Sequence, residues 1–399
     1  KFYNTAIAVN HCWSSPFVRW QGSLADVSSM DVASSVTRQA LERRGVVEAD
    51  LDGLVVGLTI PQSNSFYAAP WLASRVGLPG LTGPHIAQAC ATSVACLAAA
   101  AQQIECGGGR SQLVVATDRT SNGPLMVFPR SGGMGGSPYT ENWVLQSFAA
   151  DPNTGQAMVA TAENVARDGA MSRAELDELT LLRWEQYQQA LAGDRAAQRR
   201  YFEPIALSRG KGRALVIEAD EGVHAYSGES LASLKPVQEG GVVTFGSQTH
   251  PADGCAGAVV SPLEQACAQA QRAGGSGAVA QLLSVATARA EKAHMPKAAT
   301  SAAQLALAEA GLTIADVKYV VTHNPFAVND VWFARQTGFD VRRMNPLGCS
   351  LIYGHPQGPT GLRGIAELMQ ALEAAGGGVG LFTGCAAGDT GAALVLRVD

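Results

Sequence analysis

Apolar positions in the stretch Gln39 to Gly57, QALERRGVVEADLDGLVVG, change period partway along. Up to Arg44 they recur at helical spacing. After Gly45 comes a short polar turn, and then Leu54, Val55 and Val56 run together as a buried strand does. The stretch Leu305 to His323, LALAEAGLTIADVKYVVTH, repeats these events at a constant offset: Ala40 meets Ala306, Leu41 meets Leu307, Gly45 meets Gly311, Ala49 meets Ala315 and Asp50 meets Asp316. Each copy predicts an amphipathic helix, a glycine stop, a turn and a buried strand. A weaker pair follows, TSVACLAAAAQQIECGGGRSQLVVAT from Thr92 and TGLRGIAELMQALEAAGGGVGLFTG from Thr360, each reading as helix, triple glycine and strand. The same order twice predicts a duplicated, layered α/β fold, its halves related by a pseudo-twofold axis with helix N-termini facing a common centre.

Between the halves the pattern changes. Asp118 to Gly246 holds loops rich in Pro, Gly and Ser (SNGPLMVFPRSGGMGGSPY) and a polar helical stretch with charges at i,i+4 spacing. It reads as an inserted loop or cap domain, an arrangement that commonly helps bind substrate. The expected organisation is an N-terminal half over 1–117, the insert over 118–246, a return segment of the N-terminal half over 247–270 and a C-terminal half over 271–399. A first strand is expected at Thr5 to Val9.

Composition narrows the function classes. The 399 residues are 47% hydrophobic and 16% charged, enough apolar material for a large core, and the net charge of −5 makes nucleic acid or an anionic membrane an unsuitable partner. No run of 18 apolar residues occurs, and the opening KFYNTAIAVNHCW is too interrupted by polar residues to read as a secretory signal. The eight cysteines, at 12, 90, 96, 106, 255, 267, 349 and 385, form no CxxC pair and no Cys/His cluster at zinc spacing. A structural metal is not expected, and a reduced, cytoplasmic setting is.

Four segments join a strand end, a tight turn and a reactive side chain. In HIAQACATSVACLAAAA a strand at His85 to Ala87 leads to Cys90 at the mouth of a helix, where the macrodipole and unpaired N–H groups favour a thiolate, with Thr92 and Ser93 suited to the cap. Cys96, within that helix, is expected to be a packed core thiol. In VVTHNPFAVND a buried strand ends at His323 before Pro325. In GHPQGPTG the glycines and prolines set His355 in a rigid turn before a helix, as a general base requires. In GLFTGCAAGDTGAALVL a strand at Val379 to Thr383 meets Cys385 in a small-residue turn, and a second strand follows at Ala392 to Leu396. Two cysteines and two histidines at element ends fit acyl transfer: a Cys–His pair to form a thioester, and a second cysteine to move a proton at a carbon beside a carbonyl.

These segments, in this order, resemble those of the thiolase family over nearly the whole chain. QACATS resembles the family's CxS turn, HNPF its [HN]EAF, GHPQGPTG its GHPxGxTG, and CAAGDTG its CxGGGxG hairpin. MVATAENVARDGAMSRAELDELTL resembles the family's loop-domain segment. The resemblance implies the duplicated five-layer α/β/α/β/α thiolase fold with an inserted loop domain. It implies that Cys90 is the acylated nucleophile, His355 takes its proton, and Cys385 is the acid/base toward the enolate. His323, with a water, would help hold the thioester oxygen, and the N–H groups of Cys90 and Ala387 would hold the second oxyanion. Asn324, Ala387 and Gly388 would form the oxyanion and supporting shell. Met158, Thr249, His250 and Phe326 would line the CoA and substrate channel. CoA is implied as co-substrate, with no tightly bound cofactor and no metal.

The departures shape the expected substrate. Asn324 and Pro325 replace the family's Glu-Ala, Ala387 and Asp389 replace hairpin glycines, and QTHPADG brings Thr249 and His250 in place of ASGxNDG. They point to a branched, polar or aromatic 3-oxoacyl-CoA and not to acetoacetyl-CoA. At least a homodimer is implied by resemblance. The alternatives are a ketosynthase-like condensing enzyme, which would lack the second cysteine, and a chain active only with a small zinc-ribbon/OB-fold companion subunit. Arg183, Arg209, Lys211 and Arg213 are further candidates for CoA contact, against solvated surface charge.

Overall fold

The computed structural model describes residues 1–130, 136–208, 210, 212–272 and 277–399. The repeat seen in the sequence governs the architecture. In the N-terminal half, strand β1 (Thr5–Ala8) precedes helix α1 (Ser29–Arg44), strand β2 (Leu51–Gly57), the short strand β3 (His85–Ile86), helix α2 (Thr92–Glu105) and strand β4 (Ser111–Arg119). An excursion containing helices α3 (Met158–Asp168) and α4 (Arg173–Ala190) returns as strand β5 (Ala252–Pro262). The C-terminal half follows: β6 (Val279–Arg289), α5 (Met295–Ala310), β7 (Val317–His323), α6 (Ala327–Thr337), α7 (Thr360–Ala374), β8 (Gly378–Ala386) and β9 (Thr390–Val398).

The repeated residues do the same work in both copies. Gly45 (φ 64°) and Gly311 (φ 75°) end α1 and α5 in the left-handed conformation that glycine adopts without a Cβ clash. Asp50 accepts the Val47 N–H and Asp316 accepts the Thr313 N–H, each closing the turn that feeds the next strand.

Strand order is β7-β8-β9-β6-β1-β5-β4-β2-β3. Within each half a parallel pair (β2 with β4, β7 with β8) is extended by an antiparallel strand (β5 beside β4, β9 beside β8). Strand β1 pairs antiparallel with both β5 and β6 and so joins the two sheets. Three packed cores stack the layers. One holds α1 against the N-terminal sheet, one holds α5 against the C-terminal sheet, and a third places α2 and α7 between the sheets. The middle position explains why α7 is buried all round: every residue from Thr360 to Leu372 is enclosed, Arg363 and Glu367 included. Cys96 is fully buried in that middle core, as expected of a packing thiol.

The two buried charges on α7 are matched across layers. Arg363 makes a two-pronged ion pair with Asp220 of the excursion at 2.7 and 2.8 Å, bonds Glu367 at 3.0 Å, and lies 3.4 Å from the centre of the Tyr353 ring. Removing one partner would leave the other charge buried and uncompensated, a cost of about 3–5 kcal/mol. This cluster therefore locks the excursion to the central helix.

Candidate active site

The central helices deliver the site. Cys90 lies two residues before α2, and His355 lies five residues before α7, so both meet where the two helix N-termini converge. His355 Nε2 is 3.1 Å from Cys90 Sγ. Its Nδ1 is 2.7 Å from Thr360 Oγ1 in the first turn of α7, which fixes the ring plane. His323 ends β7 and stacks on His355, ring centres 4.0 Å apart and planes inclined by 28°. The Cys90 sulfur and one nitrogen of each ring all fall within 4.8 Å of one another. Gly384 makes this possible, since a Cβ there would sit 2.7 Å from the His323 Cβ. Cys385 comes in on β8, its sulfur accepting from Asn329 Nδ2 at 3.2 Å.

The helix-mouth position of Cys90 does not yield a resting thiolate. Although Cys90 is only partly buried, desolvation by its surroundings pushes its thiol up to about 12, outweighing the N–H groups of Ala387 and Cys90 that favour the anion. The nitrogen within reach of that thiol proton is His355 Nε2. His355 is held well below the usual histidine value, first by burial and then by the neighbouring His323 ring. Burial alone lowers His323 to about 3, so it is neutral across the working range. Its Nδ1 faces Ser350 Oγ at 2.9 Å, leaving Nε2, buried and without a protein partner, as an N–H donor toward the site. Burial also raises Cys385, with the nearby Cys90 thiol adding to the shift.

Asn324 supports this arrangement from behind. Its amide donates to Asp330 at 2.7 Å, its carbonyl accepts the Leu351 N–H at 3.3 Å, and its backbone N–H donates at 3.3 Å to the Ser350 hydroxyl, the group that holds His323. Asp330 in turn pairs with Arg183 at 2.8 Å. Arg183 is completely buried and also bonds the carbonyls of Val341 and Met344, so it is a structural tie between α4 and the C-terminal half, neither a CoA contact nor a surface charge. Arg213 is exposed. Arg209 and Lys211 lie outside the described residues.

Other expectations are corrected by packing. Thr92 and Ser93 do not cap α2. Ala91 occupies the cap position, Thr92 Oγ1 accepts from Gln88 N–H, and Ser93 Oγ donates to the Gly358 carbonyl, so both bind loops together. Cys385 is a strand residue facing Gly391 in register, and the turn is Ala387 to Asp389, with Gly388 at φ 82°. His250 does not line the channel; its ring packs on Gly354 and its carbonyl accepts the His355 N–H at 2.9 Å. Met158, Thr249, Phe326 and Ala387 do line a cavity of about 260 Å³ that opens on Cys90 and His355. A second cavity of about 400 Å³, with Trp143, Val144 and Gly388 in its walls, shares Phe148, Gln357 and Ala387 with the first.

Sequence reading missed three supporting residues. Asp118, at the end of β4, accepts from the N–H groups of Thr59, Ile60 and Gly358 and from the Thr59 hydroxyl, at 2.8–2.9 Å, and so clamps the His355 loop. Its only sequence signal is a carboxylate closing the buried run QLVVATD. Asn329 sits inside the segment VVTHNPFAVND and Ser350 four residues before GHPQGPTG, but nothing in the pattern shows which way they face.

The family models for the thiolase N-terminal and C-terminal domains match residues 7–264 and 276–398. An acetyl-CoA acetyltransferase of Pseudomonas aeruginosa is 28% identical over 384 residues, covering 95% of this chain and 96% of that protein. A 3-ketoacyl-CoA thiolase of Erwinia tasmaniensis is 26% identical over 443 aligned positions, covering 98% and 97%. The solved acetyl-CoA acetyltransferase of Syntrophomonas wolfei, 26% identical, superposes with a TM-score of 0.89 over 100% of both chains. The two domain models together span nearly every residue around the Cys–His–His–Cys convergence, and this chain belongs to the thiolase family of acyltransferases.

Proposed function

We propose that the chain cleaves a 3-oxoacyl-CoA with CoA into two acyl-CoA products, or runs the reverse Claisen condensation, through an acyl-Cys90 intermediate. The carrying observation is the 3.1 Å contact between His355 Nε2 and Cys90 Sγ. His355 takes the thiol proton and the sulfur attacks the 3-keto carbon. The bond between C2 and C3 then breaks, and Cys385 gives its proton to the departing enolate. The thiol of CoA, deprotonated in turn, releases the acyl group from Cys90. The free Nε2–H of His323 is aimed to stabilise the thioester oxygen as charge develops, and the N–H groups of Cys90 and Ala387, already directed at the sulfur, serve the second oxyanion.

On this reading CoA is a co-substrate that reaches Cys90 along the cavity lined by Met158, Thr249 and Phe326, and no tightly bound cofactor is needed. The insert over 118–246 acts as the cap, the working unit is at least a homodimer, and the setting is cytoplasmic. No helix among the described residues is long and apolar enough to cross a membrane. The second cavity, with Trp143 and Val144 in its wall, favours an acyl group larger than acetyl, in the branched or aromatic range.

Cys385→Ala tests the assignment. Thiolysis should fall by about 10²–10⁴-fold, the usual worth of a positioned acid/base, while Cys90 still becomes labelled by a radioactive acyl-CoA. A mild effect on carbon–carbon cleavage would point instead to a ketosynthase-like enzyme. Best turnover on acetoacetyl-CoA within a chain-length and branched panel would remove the larger-acyl assignment.

A further inference from the structure

Gln357 stands at the first of the two variable positions of the GHPxGxTG segment, and the structure puts it on Cys90. Its backbone lies at φ 69°, a left-handed conformation uncommon for a residue with a side chain. Neighbouring contacts hold it there. The Gly358 N–H donates to Asp118 at 2.8 Å, Ser93 Oγ donates to the Gly358 carbonyl, and the Thr360 N–H donates to the Gln357 carbonyl at 3.3 Å. Backbone strain maintained by surrounding contacts is a mark of functional positions. Here it delivers a buried amide to the sulfur: Gln357 Oε1 accepts from Cys90 Sγ at 3.2 Å, beside His355 Nε2 at 3.1 Å. The same side chain favours the charged form of His355. One thiol proton therefore has two acceptors at nearly equal reach.

We propose that Gln357 Oε1 is the acceptor that follows this proton, taking the S–H of the resting thiol and then the Nε2–H of His355 once the proton has moved. The S–H bond breaks with its electron pair left on sulfur, an N–H bond forms on the imidazole, and nothing is oxidised or reduced. The need is physical. Burial and the stacked His323 both oppose a charged His355, and Gln357 is the neighbour that opposes them. Nδ1 of the same ring already faces Thr360 and cannot serve Nε2. The groups facing the Cys90–His355 pair are Asp118 from β4, His323 from β7 and Cys385 from β8. Asp118 and Cys385 add no positive charge that would favour the thiolate. A neutral carbonyl oxygen supports the imidazolium without placing a second negative charge beside the sulfur. The role rests on the acyl-Cys90 reading above, and its test separates the two.

The test is the rate at which iodoacetamide alkylates Cys90 in the full chain, followed from about pH 5 to about pH 10, a range that spans ordinary histidine and thiol ionisation. Gln357→Leu is expected to slow alkylation near neutrality by about tenfold or more, the scale of a lost hydrogen bond to a charged group. It should lower kcat for thiolysis while KM moves little. Gln357→Glu keeps an oxygen acceptor at the same reach but brings a negative charge beside the sulfur when ionised, so it is expected to approach the native rate toward about pH 5, where its carboxyl takes up a proton, and to fall behind it near neutrality. Equal losses in both variants across the whole pH range would mean that Gln357 only fills space, and a Gln357→Leu profile matching the native one would remove any part in proton transfer; either result overturns the proposal with acyl-Cys90 intact. If Cys90→Ala leaves the rapid labelling in place, both the acyl-Cys90 reading and this role fall together.

Discussion

Gly57 and His323 hold the same place in the two halves, as the last residues of β2 and β7. Their registers extend the correspondence. Gly57 pairs with Ala116 on β4 and His323 with Gly384 on β8, so Thr117 matches Cys385 one step further on, and Asp118 matches Ala386. Equivalent strand ends thus face one centre with different chemistry. In the C-terminal half an imidazole and a thiol enter the site. In the N-terminal half the strand end is bare: a Cβ on Gly57 would meet Thr92 Cγ2 at 2.7 Å and Cys96 Sγ at 3.0 Å. Thr117 turns inward and donates to the Ser29 and Gly254 carbonyls. Asp118 holds the other half's loop. On the proposed reading the N-terminal copy contributes the nucleophile, its N–H group and a clamp, and the C-terminal copy contributes the side chains that handle protons and the thioester oxyanion. A duplicated fold supplies two sets of converging strand ends, and a single thioester needs only one set to be reactive.

The strongest way to break this division is His323→Ala. If the C-terminal strand end stabilises the oxyanion, thiolysis should fall by about 10²–10³-fold, the scale of one lost oxyanion donor. Cys90 alkylation should change far less, because His355 stays in place. A loss of alkylation as large as the loss of thiolysis would show that His323 acts on the nucleophile instead.

Gly57→Ala probes the bare strand end. The added methyl must displace Thr92 or Cys96 at the start of α2, an overpacking cost of about 1–3 kcal/mol. Thermal melting should register it as a drop of several degrees, and an unchanged melting temperature would mean that β2 can move aside.

Asp118→Asn sharpens the clamp and has the smallest effect. Burial, opposed by its hydrogen bonds, raises the Asp118 carboxyl to about 7 in the folded protein. Between its unfolded value of about 4 and about 7, the folded chain holds a proton that the unfolded chain has lost. Ionisation therefore works against folding as pH rises through that window. The asparagine variant lacks this titration, so its melting temperature relative to the native protein should rise from pH 4 to pH 7. A constant difference would mean that the carboxylate is already ionised at pH 4.

The parts of the site legible in the sequence were those fixed by local backbone. Glycine stops at Gly45 and Gly311, the turn-closing Asp50 and Asp316, and the glycine and proline run around His355 act through neighbours within a few residues, so their spacing carries the information. Reading failed where a side chain's partner lies far along the chain. Arg183 looked like a surface cation because α4 is polar in pattern, yet Asp330 and two carbonyls from the other half enclose it. Cys90 looked like a ready thiolate because the helix mouth is a local feature. Its desolvation comes from loops of both halves and dominates the outcome.

The sequence by itself determined the duplicated helix-to-strand units, the order of the four reactive segments and the family resemblance they carry, because period, turn chemistry and motif spacing are properties of the covalent chain. The tertiary structure alone decided that Asp118 clamps the opposite half's loop and that Gln357 rests on Cys90. Those facts depend on contacts between residues more than 200 positions apart, and the desolvation that sets their charges exists only once the layers have closed over them.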